Sequence, residues 1–233
     1  MICLIVPVFL VGIAFLLSVV EIIWPIRQRS RMRWPVYLLI VVSVAACKPA
    51  VRDENYFPMK KGDEHTYEDT YIKPGELPRR KTLHMIVLET IKQNGNDYWR
   101  IRNDFIGERD QAGTRSYVAV KLLYRVDKSG VFGIREQQPA EAELQIIKFP
   151  LKPGASWEVL MGKQNTKFTI MGFENVNVEN IIYKRCVHLH GEANDGYVID
   201  NWKAPGVGDI KSASTDSVGM KEISVLKEFK PGK

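Results

Sequence analysis

An all-β domain is the fold class this sequence predicts, a curved antiparallel sheet or partly open β-barrel of about 10–12 strands with few short helices. Three observations predict it. Segments rich in β-branched and aromatic residues recur from residue 56 to residue 230. Turn signals such as Pro74-Gly75, Asn94-Gly95, Ser129-Gly130 and Asp195-Gly196 separate them at the short spacing of an antiparallel meander. Amphipathic helical patterning is scarce, with room for a short helix only at Gln138 to Leu144 and at Asn177 to Ile182.

The elements follow in order. Lys48 to Asn55 is polar and aperiodic and reads as a tether. Glu64 to Ile72 alternates polar and apolar residues, and Pro74, Gly75 and Pro78 end it. Thr82 to Ile91 fits helix or strand by period. Its β-branched content and the Asn94-Gly95-Asn96-Asp97 turn behind it favour a strand entering a hairpin. The return strand starts at Tyr98-Trp99-Arg100-Ile101-Arg102, with Tyr98, Arg100 and Arg102 on one face and Trp99 and Ile101 on the other.

Thr114 to Val126 is a long strand, Asp127 to Gly130 its turn and Val131 to Arg135 its partner. Leu144 to Phe149 and Ser156 to Met161 flank a Pro-Leu-Lys-Pro-Gly corner. Lys167 to Phe173, Tyr183 to His190, Tyr197 to Trp202, Val207 to Ser212 and Lys221 to Phe229 complete the series.

An internal echo divides this domain, residues 56–230, into two similar halves. Phe57-Pro58-Met59-Lys60-Lys61-Gly62 recurs as Phe149-Pro150-Leu151-Lys152-Pro153-Gly154, and a ring follows three residues after each glycine, His65 or Trp157. An aromatic plug, a proline that fixes φ and a glycine that permits reversal together describe a corner from which a strand departs.

Before the domain lies an address. The apolar run Trp34 to Val44 follows Arg27, Arg29, Arg31 and Arg33 and ends in Val44-Ala45-Ala46-Cys47. A positive start, a short apolar core and small residues before the cut make a signal peptide, and the core is too short for the roughly 20 residues of a membrane span. The terminal four residues resemble the lipobox of bacterial lipoprotein precursors. That resemblance implies that Cys47 is lipidated and becomes the first mature residue, with residues 32–46 the signal and 47–55 a lipidated tether. Two or three acyl chains at about 0.8 kcal/mol per buried CH₂ would hold the protein on a membrane. Lys48 in place of an aspartate implies, by the same resemblance, export to the outer membrane, with the domain facing the periplasm. Met1 to Val20 is a second apolar run, transmembrane-like by itself. Met32 offers a simpler start, which would make residues 1–31 an over-extended reading frame.

Removing the address changes the charge argument. Four of the 33 basic residues and one of the 27 acidic residues precede residue 48, which leaves 29 and 26, a net of +3. Interspersed charge of that size describes a solvated surface and no nucleic-acid footprint. Cys3 and Cys47 belong to the address, so Cys186 is the one thiol of the domain and no internal disulfide is available to it.

Phe57-Pro58-Met59-Lys60, Phe149-Pro150-Leu151-Lys152 with Trp157, and Trp202-x-Ala204-Pro205-Gly206-Val207-Gly208 resemble a group of bacterial β-rich outer-membrane lipoproteins of uncharacterised function. The chain departs from the group at His65, where such proteins have tryptophan, and at Val178 to Ile181, where they have a Pro-Ala-Gly turn.

Three sets of residues carry candidate chemistry. Cys186, His188 and His190 alternate, so on a strand a thiolate and two imidazoles share a face, as zinc or copper ligands would. Asp195, Asp200 and Asp209 place carboxylates near the Ala-Pro-Gly-Val-Gly corner, where paired acids do proton transfer. Tyr98, Trp99, Tyr117, Tyr124, Trp157, Phe168 and Trp202 sit at strand spacing, and some of them, Trp99, Tyr117, Tyr124, Trp157 and Trp202 foremost, would line a concave apolar cavity. No nucleophile elbow, phosphate loop or dinucleotide fingerprint is present, and no cofactor is expected. The expectation is a non-catalytic structural or adaptor protein of the cell envelope, held by its anchor beside envelope protein partners. A carrier for a lipid or other hydrophobic ligand is the alternative, and a metal-dependent enzyme rests wholly on the Cys186 face.

Overall fold

A computed structural model describes residues 52–109, 114–161 and 163–233. The address and Cys47 lie outside the described residues. Twelve antiparallel strands form one sheet: β1 (Glu64–Ile72), β2 (Arg79–Gln93), β3 (Asn96–Arg109), β4 (Arg115–Asp127), β5 (Gly130–Arg135), β6 (Leu144–Lys148), β7 (Ser156–Met161), β8 (Gln164–Val178), β9 (Ile181–Ala193), β10 (Val198–Ala204), β11 (Gly208–Thr215) and β12 (Lys221–Lys230). Their order is β6-β5-β4-β3-β2-β1-β12-β11-β10-β9-β8-β7. Each half of the chain is a six-stranded meander, and the two meanders meet where β1 pairs with β12. The sheet curls into a nearly closed barrel whose seam lies between β6 and β7. Across that seam the Trp157 indole N–H donates to the Gln145 carbonyl at 3.0 Å.

The helix expected at Asn177 to Ile182 is instead the tip of the β8–β9 hairpin. Glu179 and Asn180 both take left-handed φ, 47° and 71°, as a two-residue primed turn requires. Val178, Ile181 and Ile182 flank that turn, and their branched side chains favour strand over helix. The other helix candidate is a single 3₁₀ turn, Ala140–Ala142.

Alternation sets the two faces. On β1, His65, Tyr67 and Asp69 are buried in the lumen while Glu64, Thr66 and Glu68 face outward. Phe57 and the 3₁₀ turn Asp53–Tyr56 pack at one end of the barrel with Leu151, Trp157, Ile170 and Leu189 as the larger core. The Tyr56 hydroxyl donates to the Arg185 carbonyl at 2.8 Å. Outside the sheet, Tyr98, Leu123 and Ile134 form a satellite core under the segment joining β5 to β6. Glu143 clamps that segment, accepting from the Tyr98 hydroxyl at 2.6 Å and from Arg125 at 2.7 Å.

Both corners make the same backbone bonds. Gly62 N–H donates to Val87 O and Val87 N–H to Asp63 O, at 2.8 and 2.9 Å. Gly154 N–H donates to Ile170 O and Ile170 N–H to Ala155 O, at 2.7 and 2.9 Å. Gly62 and Gly154 take φ of 85° and 82°, which a side chain would strain.

A candidate ligand-binding lumen

The lumen holds a cavity of about 310 Å³, lined by residues from ten of the twelve strands. That volume lies at the small end of ligand pockets. Its apolar wall consists of Tyr67, Leu83, Met85, Tyr124, Ile146, Phe168 and Leu189. Asn103 interrupts this wall, and Asn201, Lys203, Asp209, Lys211, Ser212 and Ser224 make the opposite one.

Two details of the backbone place the charged pair. Between Trp202–Lys203 and Asp209–Lys211 the β10–β11 ladder shifts register, leaving Ile210 as an extra residue. A bulge of this kind re-aims the side chains beside it. Lys203 and Asp209 become partners across the strands, ammonium to carboxylate at 2.5 Å, with Lys203 nearly buried and Asp209 40% exposed. Burying an ammonium is tolerable only with such a partner, and the Phe57 ring 5.2 Å away adds a second contact. The Tyr67 hydroxyl donates to the Asp209 carbonyl at 3.1 Å, and burial raises the pKa of Tyr67 well above its ordinary value. Burial likewise pushes the Tyr124 phenol up to about 12, so both rings present neutral surfaces.

A polar row crosses the lumen wall one step along the strands. Asn201 pairs with Ser212, Ser212 with Ser224, and Ser224 with Asp69, on β10, β11, β12 and β1. Asp69 is 3% exposed and its Oδ1 has no hydrogen-bond partner. Desolvation raises its pKa, with the Ser224 hydroxyl opposing. Asn103 Oδ1 is also buried without a donor. His65, below the cavity, hydrogen-bonds through Nε2 to the Val207 carbonyl at 2.8 Å, and burial lowers its pKa.

Of the aromatics at strand spacing, Tyr124 and Phe168 line the cavity. Trp157 is buried beside it in the core, stacked on Phe168 with centroids 5.5 Å apart. Trp99 is half-buried opposite Tyr124 in the β3–β4 ladder. Tyr117 is exposed on the outer face, where its hydroxyl donates to Asp104 at 2.8 Å. Trp202 also faces out, stacked on His188 at 4.6 Å with its indole N–H on Glu174. The three aspartates are dispersed, since Asp195 caps the β9–β10 turn, Asp200 faces outward and Asp209 faces the lumen.

The Cys186, His188 and His190 set is not brought together. Cys186 is fully buried in a cluster with Val176, Ala204 and Ile210, its thiol 3.4 Å from the Tyr183 carbonyl. Just before it, Arg185 adopts φ of 54° and the β8–β9 ladder shifts register. Burial raises the thiol's pKa, which opposes the thiolate a metal needs. His188 Nε2 and His190 Nδ1 both lie 2.8 Å from Asp200 Oδ1, and that contact raises the pKa of His190. Among the described residues, no group of three or more His, Cys, Asp or Glu side chains is placed to hold a metal ion.

No family model matches this chain, and no curated protein does. Solved structures give distant likenesses. An exported protein with a YmcC-like fold from Bacteroides fragilis matches at 13% identity and a TM-score of 0.43, over 75% of this chain and 98% of that one. A lipoprotein from Parabacteroides distasonis matches at 12% and 0.34, over 75% and 98%. A LolA superfamily protein from Nitrosomonas europaea matches at 8% and 0.35, over 78% and 91%. Likenesses this remote carry over no residue role.

Among the cavity-lining residues that sequence reading missed are the polar Asn103, Asn201, Lys203, Ser212 and Ser224. One signal was available. Lys203 and Asn201 share a phase opposite to that of Trp202, so one of the two faces of β10 had to bury polar groups or expose the indole.

Proposed function

We propose that this protein is a lipid-anchored envelope carrier that holds an apolar molecule inside its barrel, without catalysis. The single observation that carries the reading is the lumen cavity, whose wall of Leu83, Met85, Tyr124, Ile146 and Phe168 offers apolar surface with no packing partner across the void. The anchor is the acylated Cys47, and Lys48 directs it to the outer membrane with the barrel in the periplasm. Both assignments rest on the lipobox resemblance.

The test is native mass spectrometry of the full chain expressed in a bacterium with two membranes and extracted in mild detergent. Covalent acyl mass at Cys47 survives denaturation, whereas cargo does not. A lipid-sized mass that is lost on denaturation, and is absent from Ser212→Trp, which fills the lumen, is the expected result. Protein without such mass, or cargo that persists in the filled variant, overturns the reading.

The adaptor reading retains one observation in its favour. β6 and β7 border the seam, and Leu160 on β7 and Met171 on β8 are exposed. An added strand could pair there. Crosslinking through a photoreactive residue at Leu160 that captured one envelope protein would favour it.

A further inference from the structure

The two walls of the cavity differ in what they ask of an occupant, and the difference bears on its head group. The lining holds three charged residues, Lys203, Asp209 and Lys211. The Lys203 ammonium is taken by Asp209, and the Lys211 ammonium lies 5.0 Å from the Trp202 ring on the outer face. An anionic head would therefore meet the Asp209 carboxylate with no unpaired cation beside it, and a cationic head would meet Lys203. Either would also pay desolvation without compensation.

Beyond that pair the wall offers the neutral side chains of Asn201, Ser212 and Ser224. They stand as a row, side by side on three adjacent strands. Ser and Asn side chains both donate and accept, as hydroxyl groups of a ligand do. Asp69 lies behind these three, outside the cavity lining, where its carboxyl group takes the Ser224 hydroxyl.

We propose that this row binds the neutral, hydroxyl-bearing head of a single-chain amphiphile, such as a monoacylglycerol, with its acyl chain against Leu83, Met85, Ile146 and Phe168. The proposal rests on the carrier reading and names its ligand class. The occupant lies along the wall, head toward β11 and β12 and tail toward β2, β6 and β8.

The test offers the full chain, stripped of cargo, an equimolar mixture of monolauroylglycerol, laurate and dodecylamine, and reads the adducts by native mass spectrometry. The chain length is common, so only the head differs. The expected result is occupancy by monolauroylglycerol about tenfold above either competitor, the equivalent of one or two neutral hydrogen bonds. That advantage should fall to about twofold in Ser212→Ala/Ser224→Ala while total adduct persists, since the apolar wall is untouched. Equal adducts, or preference for the acid or the amine, overturn the head assignment and leave the carrier reading standing. No adduct from any of the three overturns both. If the double variant fails to fold, Asn201→Leu puts the same question at the other end of the row.

Discussion

The two corners of this barrel are built alike and close the sheet differently. Phe57 to Gly62 and Phe149 to Gly154 launch β1 and β7 with the same pair of bonds to the next strand and the same left-handed glycine. Beyond that the environments diverge. Asp63, buried, accepts from Lys60 N–H at 2.9 Å and from Gly232 N–H at 2.8 Å, so the first corner also fastens the carboxyl-terminal segment. Ala155 stands where Asp63 does and can do neither. β1 then gains a full backbone ladder with β12, whereas β7 reaches its other neighbour through an indole. Turn chemistry fixes where a strand departs. Whether that strand finds a partner depends on the polar groups placed beside it.

Substitutions can break this comparison or sharpen it. The largest effect is expected from Asp63→Ala, which makes the first corner resemble the second and leaves two backbone N–H groups without their charged acceptor. Hydrogen bonds to a charged group contribute about 1.5–3 kcal/mol each, so a loss of about 3 kcal/mol, seen as a lower urea midpoint, is the expected outcome. A midpoint shift below about 1 kcal/mol would mean that the carboxyl-terminal tie contributes little.

Trp157→Phe keeps a ring in the core and removes only the seam bond. It should cost about 1–2 kcal/mol. Hydrogen exchange followed by mass spectrometry should speed up in β6 and β7 and remain unchanged in β1 and β12. Uniform acceleration would show that the seam is no weaker than the ladder.

Gly62→Ala and Gly154→Ala sharpen the comparison by applying one strain to both corners, about 1–2 kcal/mol for a side chain in left-handed backbone. A Cβ on Gly154 would meet nothing within 4 Å, while one on Gly62 would approach Gly232 Cα at 3.4 Å. Gly62→Ala should therefore be the costlier of the two in thermal denaturation, by a few tenths of a kcal/mol.

The smallest effect concerns the ring after each glycine. Burial lowers the pKa of His65 below its ordinary 6.5, so the unfolded chain binds a proton more readily than the folded one. His65 then costs stability progressively as pH falls below 6.5 toward its folded value. His190 acts oppositely, since Asp200 raises its pKa and its contribution is lost as pH rises above 6.5. Comparing His65→Phe with the parent chain in urea at pH 5 and pH 8 isolates the first contribution. The variant should gain relative to the parent at pH 5, and an equal difference at both values would remove His65 as the source.

Much of the architecture was legible because a strand with one wet face advertises its period. β1 and β7 run over the residues that alternation marked, and the two corners were visible as an echo. The far half of β3 was not legible, since Asn103 faces the cavity and Asp104 the outer surface, so polar residues fall in both phases. Alternation separates two faces without saying which is inside, and Trp202 and Tyr117 were misjudged for that reason. The same ambiguity hid the lumen row. Ser212, Ser224 and Asn201 look like a solvated face until the sheet curls and turns that face inward. The Cys186 set misled for a local reason, because the thiol packs into a buried cluster with Val176, Ala204 and Ile210 while both imidazoles are taken by Asp200.

The pairing of β1 with β12 also sets a schedule. During synthesis the chain is delivered from its amino end, and β1 acquires its second neighbour only once Lys221 to Lys230 has arrived. Until then its outer edge presents unpaired backbone groups, the condition under which sheets find wrong partners. The lumen is a trough for most of the molecule's assembly and becomes a container at its last step, so a chain cut before β12 would have a floor and no far wall.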